Sequence, residues 1–342
     1  MLLTCQAGFE ALLGRELCEL HGTAVAEQGP GWVRPAAPLA PGSLGGLTFP
    51  HLTLLAPQEV RGESVNALAS AVSEYFLATL RGERIEAAWP SLWLGPAELV
   101  GLGRRIAGVE QAFAEGLKRK LSRVAKLAVP ELPRGAAGAV GRGLFVFFVD
   151  FGRALVAREA FVHGPRRMAD DPQAPSRSFL KVEEAYLVLG CEPRSGETVA
   201  DLGAAPGGWS YSAAKRGAQV LAIDNGPLKG GALDHPRIEH RREDAFAFTP
   251  AAIGREACDW LFCDLVEEPH EVLRRIVTPW LERGWCRRFV VNLKFGRVDA
   301  VGLLRELRAD SSPFRRAGAS HRILHLYHDR EEFTVVGARD LA

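Results

Sequence analysis

Residues 201–209, with the sequence DLGAAPGGW, constrain the fold of this chain more than any other segment. They follow apolar residues 198–200 and precede residues 210–215, which are typical of a helix start. A strand, a glycine-rich turn and a helix in this order indicate the carboxyl edge of a parallel sheet, where bare backbone can approach a ligand. The turn is not the dinucleotide pattern GxGxxG, because Pro206 stiffens it, which suits a small ligand. An ordinary tight strand-to-helix turn is the alternative interpretation.

Downstream of residue 177 the sequence alternates between apolar runs and helical spacing, which predicts an α/β domain. We expect a mainly parallel, Rossmann-like sheet with helices on both faces. The last two strands should form an antiparallel hairpin at one edge, because only a tight turn near residues 329–330 separates them. The seven predicted strands lie at residues 198–201, 219–224, 237–241, 259–264, 288–294, 322–328 and 332–337.

The first 161 residues predict two smaller units. Residues 1–56 combine short strands with an amphipathic helix that starts near Phe9, and they predict a small α+β unit. Residues 57–161 predict a second unit, and residues 162–176, with three prolines, are assigned to a linker before a domain at 177–342. In the second unit, helices are predicted at 65–80 and 108–123, and strands at 85–89, 144–149 and 155–161.

Composition excludes several classes of protein. Hydrophobic residues make up 47% and charged residues 24% of the chain, as in a globular protein. No apolar run reaches the roughly 18 residues of a membrane span, and the N-terminus lacks the basic segment of a signal peptide. The six cysteines form no CxxC pair and the histidines show no metal-site spacing. We therefore expect a cytoplasmic protein with reduced thiols and no bound metal.

Positive charge is concentrated in residues 104–167, which carry thirteen Lys or Arg against five Asp or Glu, a net charge of +8. Residues 1–103 have a net charge of −5. A basic block in a nearly neutral chain indicates a polyanion site. A solvated helix face is the alternative, since cations near a helix C-terminus also favour the helix dipole. The candidate residues for this site are Arg104, Arg105, Lys118, Arg119, Lys120, Arg123, Lys126, Arg166 and Arg167.

Aspartates end three of the predicted strands, at Asp201, Asp224 and Asp264. In a parallel sheet these strand ends share one edge, where ligands bind. Asp224 follows the glycine-rich turn by about twenty residues, the spacing at which a carboxylate binds ribose hydroxyls. Asp244, with Phe246 nearby, would reach an adenine amine, although a helix N-cap is the alternative for Asp244 alone. Several carboxylates at one pocket also favour a cationic ligand such as a sulfonium.

Two lysines accompany these carboxylates. Lys294 closes an apolar strand at the same edge, where an ammonium is costly to desolvate unless it is used or paired. Lys181 lies just before a predicted helix. Near each other and near Asp264, the two like charges would depress the pKa of one ammonium, so that the neutral amine could take a proton from a hydroxyl. Glu332 would orient one lysine; a purely structural salt-bridge network is the alternative.

Seven segments together carry a family resemblance. They are SRSFLKVEEA, DLGAAPGGWSY, IDNGP, REDAF, FCDLVEEP, GWCRRFVVNLKFG and LYHDREEFTVV. The chain resembles the bacterial large-subunit ribosomal RNA cytidine 2′-O-methyltransferases of the RlmM type, within the FtsJ-like group of ribose methyltransferases. The resemblance is dense from Ala174 onward and thinner upstream, where QAGFEALLGREL still matches. The N-terminal half departs from the family in its shorter length and in its loops at 35–46 and 135–143.

This resemblance implies a methyltransferase that uses S-adenosylmethionine. The K-D-K-E tetrad of the group maps onto Lys181, Asp264, Lys294 and Glu332, with Lys294 as the proton acceptor. Glu331 replaces Glu332 if the strand register shifts by one. The N-terminal half is implied to be a ferredoxin-like unit plus a THUMP RNA-binding domain. The implied cofactor-binding residues are Ser178, Asp201, Gly203, Ala205, Pro206, Gly207, Gly208, Trp209, Asp224, Asp244 and Asp264.

The sequence therefore predicts 2′-O-methylation of a ribose, that of a cytidine, in 23S ribosomal RNA or a large-subunit precursor, by a monomer. The basic residues named above are the candidate RNA-binding residues. One alternative is a non-catalytic RNA-binding protein of ribosome assembly that keeps the fold; the intact tetrad argues against it. A second alternative is an enzyme of the same fold that acts on a small molecule or a protein, which the basic N-terminal half disfavours.

Overall fold

The computed structural model describes residues 1–80, 82–133 and 135–339. The chain divides into two units, Met1–Gly164 and Pro165–Ala342. Within the described ranges, no helix combines the length and the apolar character that crossing a membrane requires. All six cysteines are free thiols.

The first unit is built on one sheet. Its strands are β1 (Leu2–Thr4), β2 (Val25–Gly29), β3 (Trp32–Pro35), β4 (Leu52–Leu55), β5 (Gln58–Arg61), β6 (Trp89–Leu94), β7 (Ala128–Val129), β8 (Ala139–Phe148) and β9 (Arg153–Val162). They pair in the order β2-β3-β1-β4-β9-β8-β6-β7, with β5 also paired to β9. Its helices are α1 (Glu10–His21), α2 (Val65–Thr79), α3 (Leu102–Lys120) and α4 (Ser122–Lys126).

Helix α3 shows why this unit folds as it does. Its buried residues recur every three or four positions, which makes one apolar stripe along the helix. The stripe belongs to the same buried cluster as α2 and strands β6 and β8, so the charged residues of α3 face outward. The residues of the stripe are Leu102, Ile106, Val109, Phe113 and Leu117.

The predicted strand at residues 85–89 is wrong. The strand β6 starts at Trp89 and continues through Pro90, which pairs with Val129 of β7. A proline is tolerated near the start of a strand because it removes only one ladder donor there.

The second unit contains the site discussed below. Its strands are β10 (Thr198–Leu202), β11 (Gln219–Ile223), β12 (Ile238–Arg241), β13 (Cys258–Cys263), β14 (Cys286–Lys294), β15 (Ser320–Leu324) and β16 (Glu332–Ala338). Its helices are α5 (Phe179–Leu189), α6 (Gly208–Ala214), α7 (Pro269–Val272), α8 (Thr278–Glu282), α9 (Ala300–Arg308) and α10 (Pro313–Arg316), and a π-helical turn, Leu273–Val277, joins α7 to α8.

These seven strands form one sheet in the order β12-β11-β10-β13-β14-β16-β15. Strands β10 to β14 pair in parallel, whereas β16 is antiparallel to both β14 and β15. Apolar residues of α5 and α6 share a buried cluster with the central strands. The predicted α/β class, with seven strands and an antiparallel hairpin at one edge, is confirmed. The assignment of the first 161 residues to ferredoxin-like and THUMP domains, and the domain bounds, stay predictions.

Two local predictions in this unit need correction. Lys181 lies inside α5, not before it, and the strand predicted at 322–328 ends at Leu324. Residues 325–331 form a loop because a buried carboxylate supplies acceptors in place of a strand partner. Glu184 of α5 accepts hydrogen bonds from the backbone N–H groups of Tyr327 (2.8 Å) and His328 (3.3 Å). The same side chain also accepts from the N–H of Arg166 (2.8 Å).

A glycine pair in β8 provides a test of this packing. A Cβ atom on Gly143 would lie 2.2 Å from the backbone oxygen of Pro90, whereas one on Gly141 would meet its nearest atom at 3.7 Å. We expect Gly143→Ala to lower the free energy of unfolding by about 2 kcal/mol or more, because backbone has to move. Gly141→Ala, two residues away on the same strand, is the control and should cost less than about 1 kcal/mol. Equal denaturation midpoints for the two variants would contradict the packing described.

Candidate active site at the carboxyl edge of the second sheet

The glycines of the loop after β10 are required by the protein's own packing. Gly203 and Gly207 have φ angles of 80° and 106°, which residues with a side chain rarely adopt. A Cβ atom on Gly203 would lie 2.7 Å from Leu265 Cδ2, and one on Gly207 would lie 2.4 Å from Ala232 Cβ. Their Cα atoms therefore face neighbouring side chains, whereas the sequence led us to expect bare backbone open to a ligand.

The segment before α5 lies against the start of α6. The indole N–H of Trp209 donates to the carbonyl oxygen of Ser178 (2.9 Å), and a Cβ atom on Gly208 would lie 2.9 Å from Ser178 Oγ. Trp209 itself is buried and packs edge-on against Phe262. The structure thus brings Ser178 to the glycine loop as expected, but it places the Trp209 side chain in the core.

Asp224 and Asp201 play different parts beside this loop. Asp224 is half-buried and accepts backbone hydrogen bonds from Ala205 (2.9 Å) and Gly226 (2.7 Å), one on each carboxylate oxygen. Asp201 is fully buried and accepts from the Ser210 hydroxyl (2.6 Å) through one oxygen. Burial, with the nearby carboxylates adding to it, raises the pKa of Asp201 to about 7. Asp224 therefore faces the edge, and Asp201 supports the loop from beneath.

Asp244 is an exposed turn residue in the structure. One of its carboxylate oxygens accepts from the backbone N–H of Phe246 (2.9 Å), and the other lies 3.9 Å from the Arg275 guanidinium. The same guanidinium lies 4.1 Å from the centre of the Phe246 ring. The Arg275 guanidinium thus lies beside Asp244 and Phe246, the two residues that the sequence assigned to an adenine.

Four charged side chains meet at this edge of the sheet. Glu332 accepts from Lys181 with one carboxylate oxygen and from Lys294 with the other. Lys294 also donates to Asp264 (2.5 Å). We call these residues, Lys181, Asp264, Lys294 and Glu332, the lysine–carboxylate cluster. Its side chains are 5% exposed at Glu332 and 23% exposed at Lys294, so the cluster is buried on the Glu332 side and open at Lys294.

Sheet register explains why these four residues meet. Lys294 is the last residue of β14 and pairs directly with Glu332, the first residue of the antiparallel β16. Asp264 follows β13, the parallel neighbour of β14, so it lies at the same edge. Glu331 is exposed and its carbonyl accepts from Phe295 (2.8 Å), so Glu332 and not Glu331 contacts the lysines. Because side chains alternate between the two faces of a strand, only one of these two adjacent glutamates can point toward the lysines.

The carboxylates control the protonation of the cluster. Burial alone would lower the pKa of Lys294, but Asp264 and Glu332 outweigh burial and raise it. Burial would likewise raise the pKa of Glu332, but the two lysines lower it to about 2. The sequence-based expectation of a depressed ammonium pKa is wrong for Lys294, because the two carboxylates that it contacts raise its pKa.

Sequence reasoning missed a set of buried polar residues behind the cluster. Asn292 donates to Asp264 (3.1 Å) and accepts from the hydroxyl of Thr334 (2.6 Å), which also contacts Asp329. Asn292 and Thr334 are completely buried. A signal was available, because each lies two residues from a cluster member on the same strand and hence on the same face.

The basic residues predicted to bind a polyanion are only partly brought together. Lys118, Arg119 and Lys120 end α3, and Arg123 and Lys126 lie on α4; all five are exposed.

Arg104 lies at the other end of α3, about 20 Å away at 1.5 Å per residue. Arg105 donates to the backbone carbonyl of Glu63 (2.6 Å), a structural contact. Arg166 and Arg167 belong to the second unit. In the part of the chain that the structure describes, no group of three or more His, Cys, Asp or Glu side chains could hold a metal ion.

The fold and this site together define the class of protein. A seven-stranded sheet that is parallel except for β16, with a glycine-rich loop after its central strand β10, is a Rossmann-like methyltransferase domain. The FtsJ-like methyltransferase family model matches residues 174–278, which contain the loop, Asp224 and Asp264.

Full-length relatives identify the family. Ribosomal RNA large subunit methyltransferase M of Xanthomonas axonopodis pv. citri is 32% identical over 366 residues, covering 99% of each chain. The protein of the same name from Xanthomonas oryzae pv. oryzae is 33% identical over 369 residues, again covering 99% of each chain. That from Halorhodospira halophila is 43% identical over 185 residues, covering 53% of this chain and 52% of the relative. The chain belongs to the family of ribosomal RNA large subunit methyltransferase M.

The buried cluster predicts a large difference between two adjacent glutamates. Glu332→Gln leaves two ammonium groups close together without their shared carboxylate, so we expect a loss of about 3 kcal/mol in unfolding free energy at neutral pH. Glu331→Gln, the exposed neighbour, should change it by less than about 0.5 kcal/mol. Chemical denaturation measures both variants, and equal losses would contradict the assignment of Glu332 to the cluster.

The ionised Glu332 also predicts how the unfolding free energy depends on pH. The pKa of Glu332 falls from 4.5 to about 2 on folding, so its stabilisation is present above pH 4.5 and is lost as the pH falls toward 2. The stability difference between the wild type and Glu332→Gln should therefore shrink across that window. A difference that stays constant from pH 5 to pH 2.5 would show that the Glu332 charge does not stabilise the cluster.

Proposed function

We propose that the protein transfers a methyl group from S-adenosylmethionine to the 2′-hydroxyl of a cytidine in 23S ribosomal RNA. The relatives bear the name ribosomal RNA large subunit methyltransferase M, which names the RNA and the reaction. The observation that carries the ribose assignment is the lysine–carboxylate cluster. An amine held by carboxylates at the edge of the sheet can orient and deprotonate a hydroxyl, which is the group that a ribose offers.

The residues near the glycine loop fit the methyl donor. Each oxygen of Asp224 accepts one backbone hydrogen bond and keeps a lone pair for a ribose hydroxyl. The carboxylates of Asp201, Asp224 and Asp264 are close enough together to influence the pKa of Asp201, so this edge favours a cation. When bound, S-adenosylmethionine supplies an electrophilic methyl group on a positively charged sulfur. Asp244 remains the candidate for the adenine amine.

Lys294 is the proton acceptor in this mechanism. Asp264 and Glu332 accept two of its N–H groups, which leaves the third direction of Nζ for a substrate hydroxyl. Lys294 would accept the proton that the 2′-hydroxyl loses when its oxygen takes the methyl group, and the bond between that methyl and the donor sulfur would break with its electron pair left on the sulfur. Because the carboxylates raise the pKa of Lys294, the neutral amine forms only when a cationic ligand and the exclusion of water oppose them. Alignment by the cluster supplies much of the remaining rate enhancement.

We assign RNA binding in the first unit to the basic end of α3 and to α4. Five exposed cations lie there, and none of them forms an ion pair with another described residue: Lys118, Arg119, Lys120, Arg123 and Lys126. Phosphate contacts from such residues give affinity without reading bases. We further propose that the first unit is a ferredoxin-like and THUMP pair, and that the enzyme acts as a cytoplasmic monomer on 23S RNA or a large-subunit precursor.

The first test removes the proton acceptor. Lys294→Met keeps the length of the side chain but has no amine, so we expect methyl transfer to 23S RNA to fall at least about 100-fold. Calorimetric affinity for S-adenosylmethionine should change by less than about threefold, because Asp224 and the loop are intact. Lys229→Met, at an exposed lysine of the same unit, is the control and should retain activity.

The product identifies the reaction. Digestion of the labelled RNA to nucleosides should yield 2′-O-methylcytidine. Full activity in Lys294→Met would exclude its role, and an inactive wild type on free RNA and on precursor particles alike would favour a non-catalytic RNA-binding protein.

The second test concerns the RNA interface. Replacing Lys118, Arg119 and Lys120 by Ala should weaken RNA binding and reduce the slope of log affinity against log salt concentration by about 2, for three lost phosphate contacts. The charge-conserving variant Lys118→Arg with Lys120→Arg is the matched control and should keep the slope. Anisotropy titrations of labelled RNA at several salt concentrations measure both, and an unchanged slope in the triple Ala variant would place the RNA elsewhere.

A further inference from the structure

We infer that Asp329 is a neutral carboxylic acid in the folded protein below pH 7, and that it positions Asp264 through a directed chain of hydrogen bonds. The chain runs from Asp329 to Thr334, from Thr334 to Asn292 and from Asn292 to Asp264. Its catalytic consequence rests on the proposed function; the protonation itself does not. Asp329 and its two intermediates are positioning residues, since none of them contacts the lysines of the cluster.

The geometry places the chain directly behind the cluster. Asn292 and Thr334 are paired across β14 and β16, two residues from the pair formed by Lys294 and Glu332. The Thr334 oxygen lies 2.6 Å from Asn292 Oδ1 and 2.9 and 3.1 Å from the two oxygens of Asp329. All three side chains are buried, with exposures of 1% or less. These three side chains therefore form their hydrogen bonds away from the protein surface.

The number of hydrogens that each side chain can donate fixes the direction of these hydrogen bonds. Asp264 is held by the ammonium of Lys294 and only accepts, so Asn292 must turn its amide N–H to Asp264 and its oxygen to Thr334. That oxygen also only accepts, so the single hydroxyl hydrogen of Thr334 goes to Asn292. Thr334 has no second hydrogen for Asp329. The contact between these two residues is then a hydrogen bond only if Asp329 carries a proton and donates it.

The remaining contacts of Asp329 agree with a protonated acid. Its Oδ2 accepts from the backbone N–H of Leu326 (2.8 Å), which leaves Oδ1 to carry the proton. Burial and the ionised Glu332 raise the pKa of Asp329 to about 7, against a smaller opposing effect of Lys181. Two further groups of this region, the buried Glu184 and His325, add no positive charge, since burial lowers the pKa of His325 to about 4.

Ionising Asp329 would reverse the chain. A carboxylate at Asp329 would draw the Thr334 hydrogen to itself, and the Asn292 oxygen would lose its donor. Asn292 would then no longer be held with its N–H toward Asp264, and Asp264 is one of the two carboxylates that orient Lys294. Because methyl transfer depends on alignment, a poorly held Lys294 lowers turnover more than RNA affinity.

Infrared spectroscopy tests the protonation directly. At pH 6 the spectrum of the wild type minus that of Asp329→Asn should contain the C=O stretching band of a protonated carboxyl group. Subtraction removes the bands of Asp201 and Glu184, whose pKa values burial also raises. Asp310→Asn, at an exposed aspartate, is the control and should give only carboxylate bands. Thr334→Val should shift the Asp329 band, and a difference spectrum with carboxylate bands alone would overturn the inference.

Kinetics test the positioning role. Thr334→Val and Asp329→Ala should lower kcat about tenfold with KM for RNA changed less than about twofold, and Thr334→Ser and Asp329→Asn should restore kcat because they keep the donors. Asp329→Asn should also lose any fall of kcat that the wild type shows above pH 7. If Thr334→Val has a normal kcat, the positioning role is wrong. If the wild type transfers no methyl group at all, the proposed function fails while the infrared result still decides the protonation of Asp329.

Discussion

The antiparallel strand β16 between β14 and β15 is the constraint on which the site depends. Its first residue, Glu332, pairs with the last residue of β14, so one register decides whether a carboxylate meets Lys294. The free energy needed to remove four charges from water exceeds the electrostatic stabilisation from any single ion pair. The cluster is stable because Glu332 forms ion pairs with both Lys181 and Lys294. A slip of one residue would turn Glu332 away and bring the exposed Glu331 to the edge. The register of this hairpin therefore decides whether Glu332 reaches the two lysines.

Burial raises the pKa values of three acids in the second unit: Glu184, Asp201 and Asp329. Each satisfies groups that a packed core would otherwise leave without partners. Glu184 holds the loop at 325–331 and the chain at Arg166, and Asp201 takes the Ser210 hydroxyl at the start of α6. Neutral acids can be donors and acceptors within one core at little electrostatic cost. Preorganised groups of this kind are what catalysis by alignment requires.

The glycine loop illustrates how a functional motif can have a structural cause. Gly203 and Gly207 are needed because neighbouring side chains occupy the space of a Cβ atom. At the open edge, the Asp224 carboxylate accepts hydrogen bonds from the backbone N–H groups of Ala205 and Gly226. Asp224 thus braces the turn, and each of its carboxylate oxygens keeps a lone pair that we assign to the proposed cofactor.

The sequence by itself determined the parallel sheet, the edge hairpin, the strand-end aspartates and the two lysines, because these depend on local patterns of period two and on the rule that parallel strands end at one edge. It did not determine the strand bounds near Trp89 and Leu324, because strand pairing keeps Pro90 inside β6 and the buried Glu184 binds the backbone after β15. Only the tertiary structure decided that Glu332 and not Glu331 bridges the lysines, that Lys294 has a raised pKa, and that Asn292, Thr334 and Asp329 lie behind Asp264. Each of these depends on distances between groups far apart in the chain, and electrostatic effects follow those distances rather than residue type.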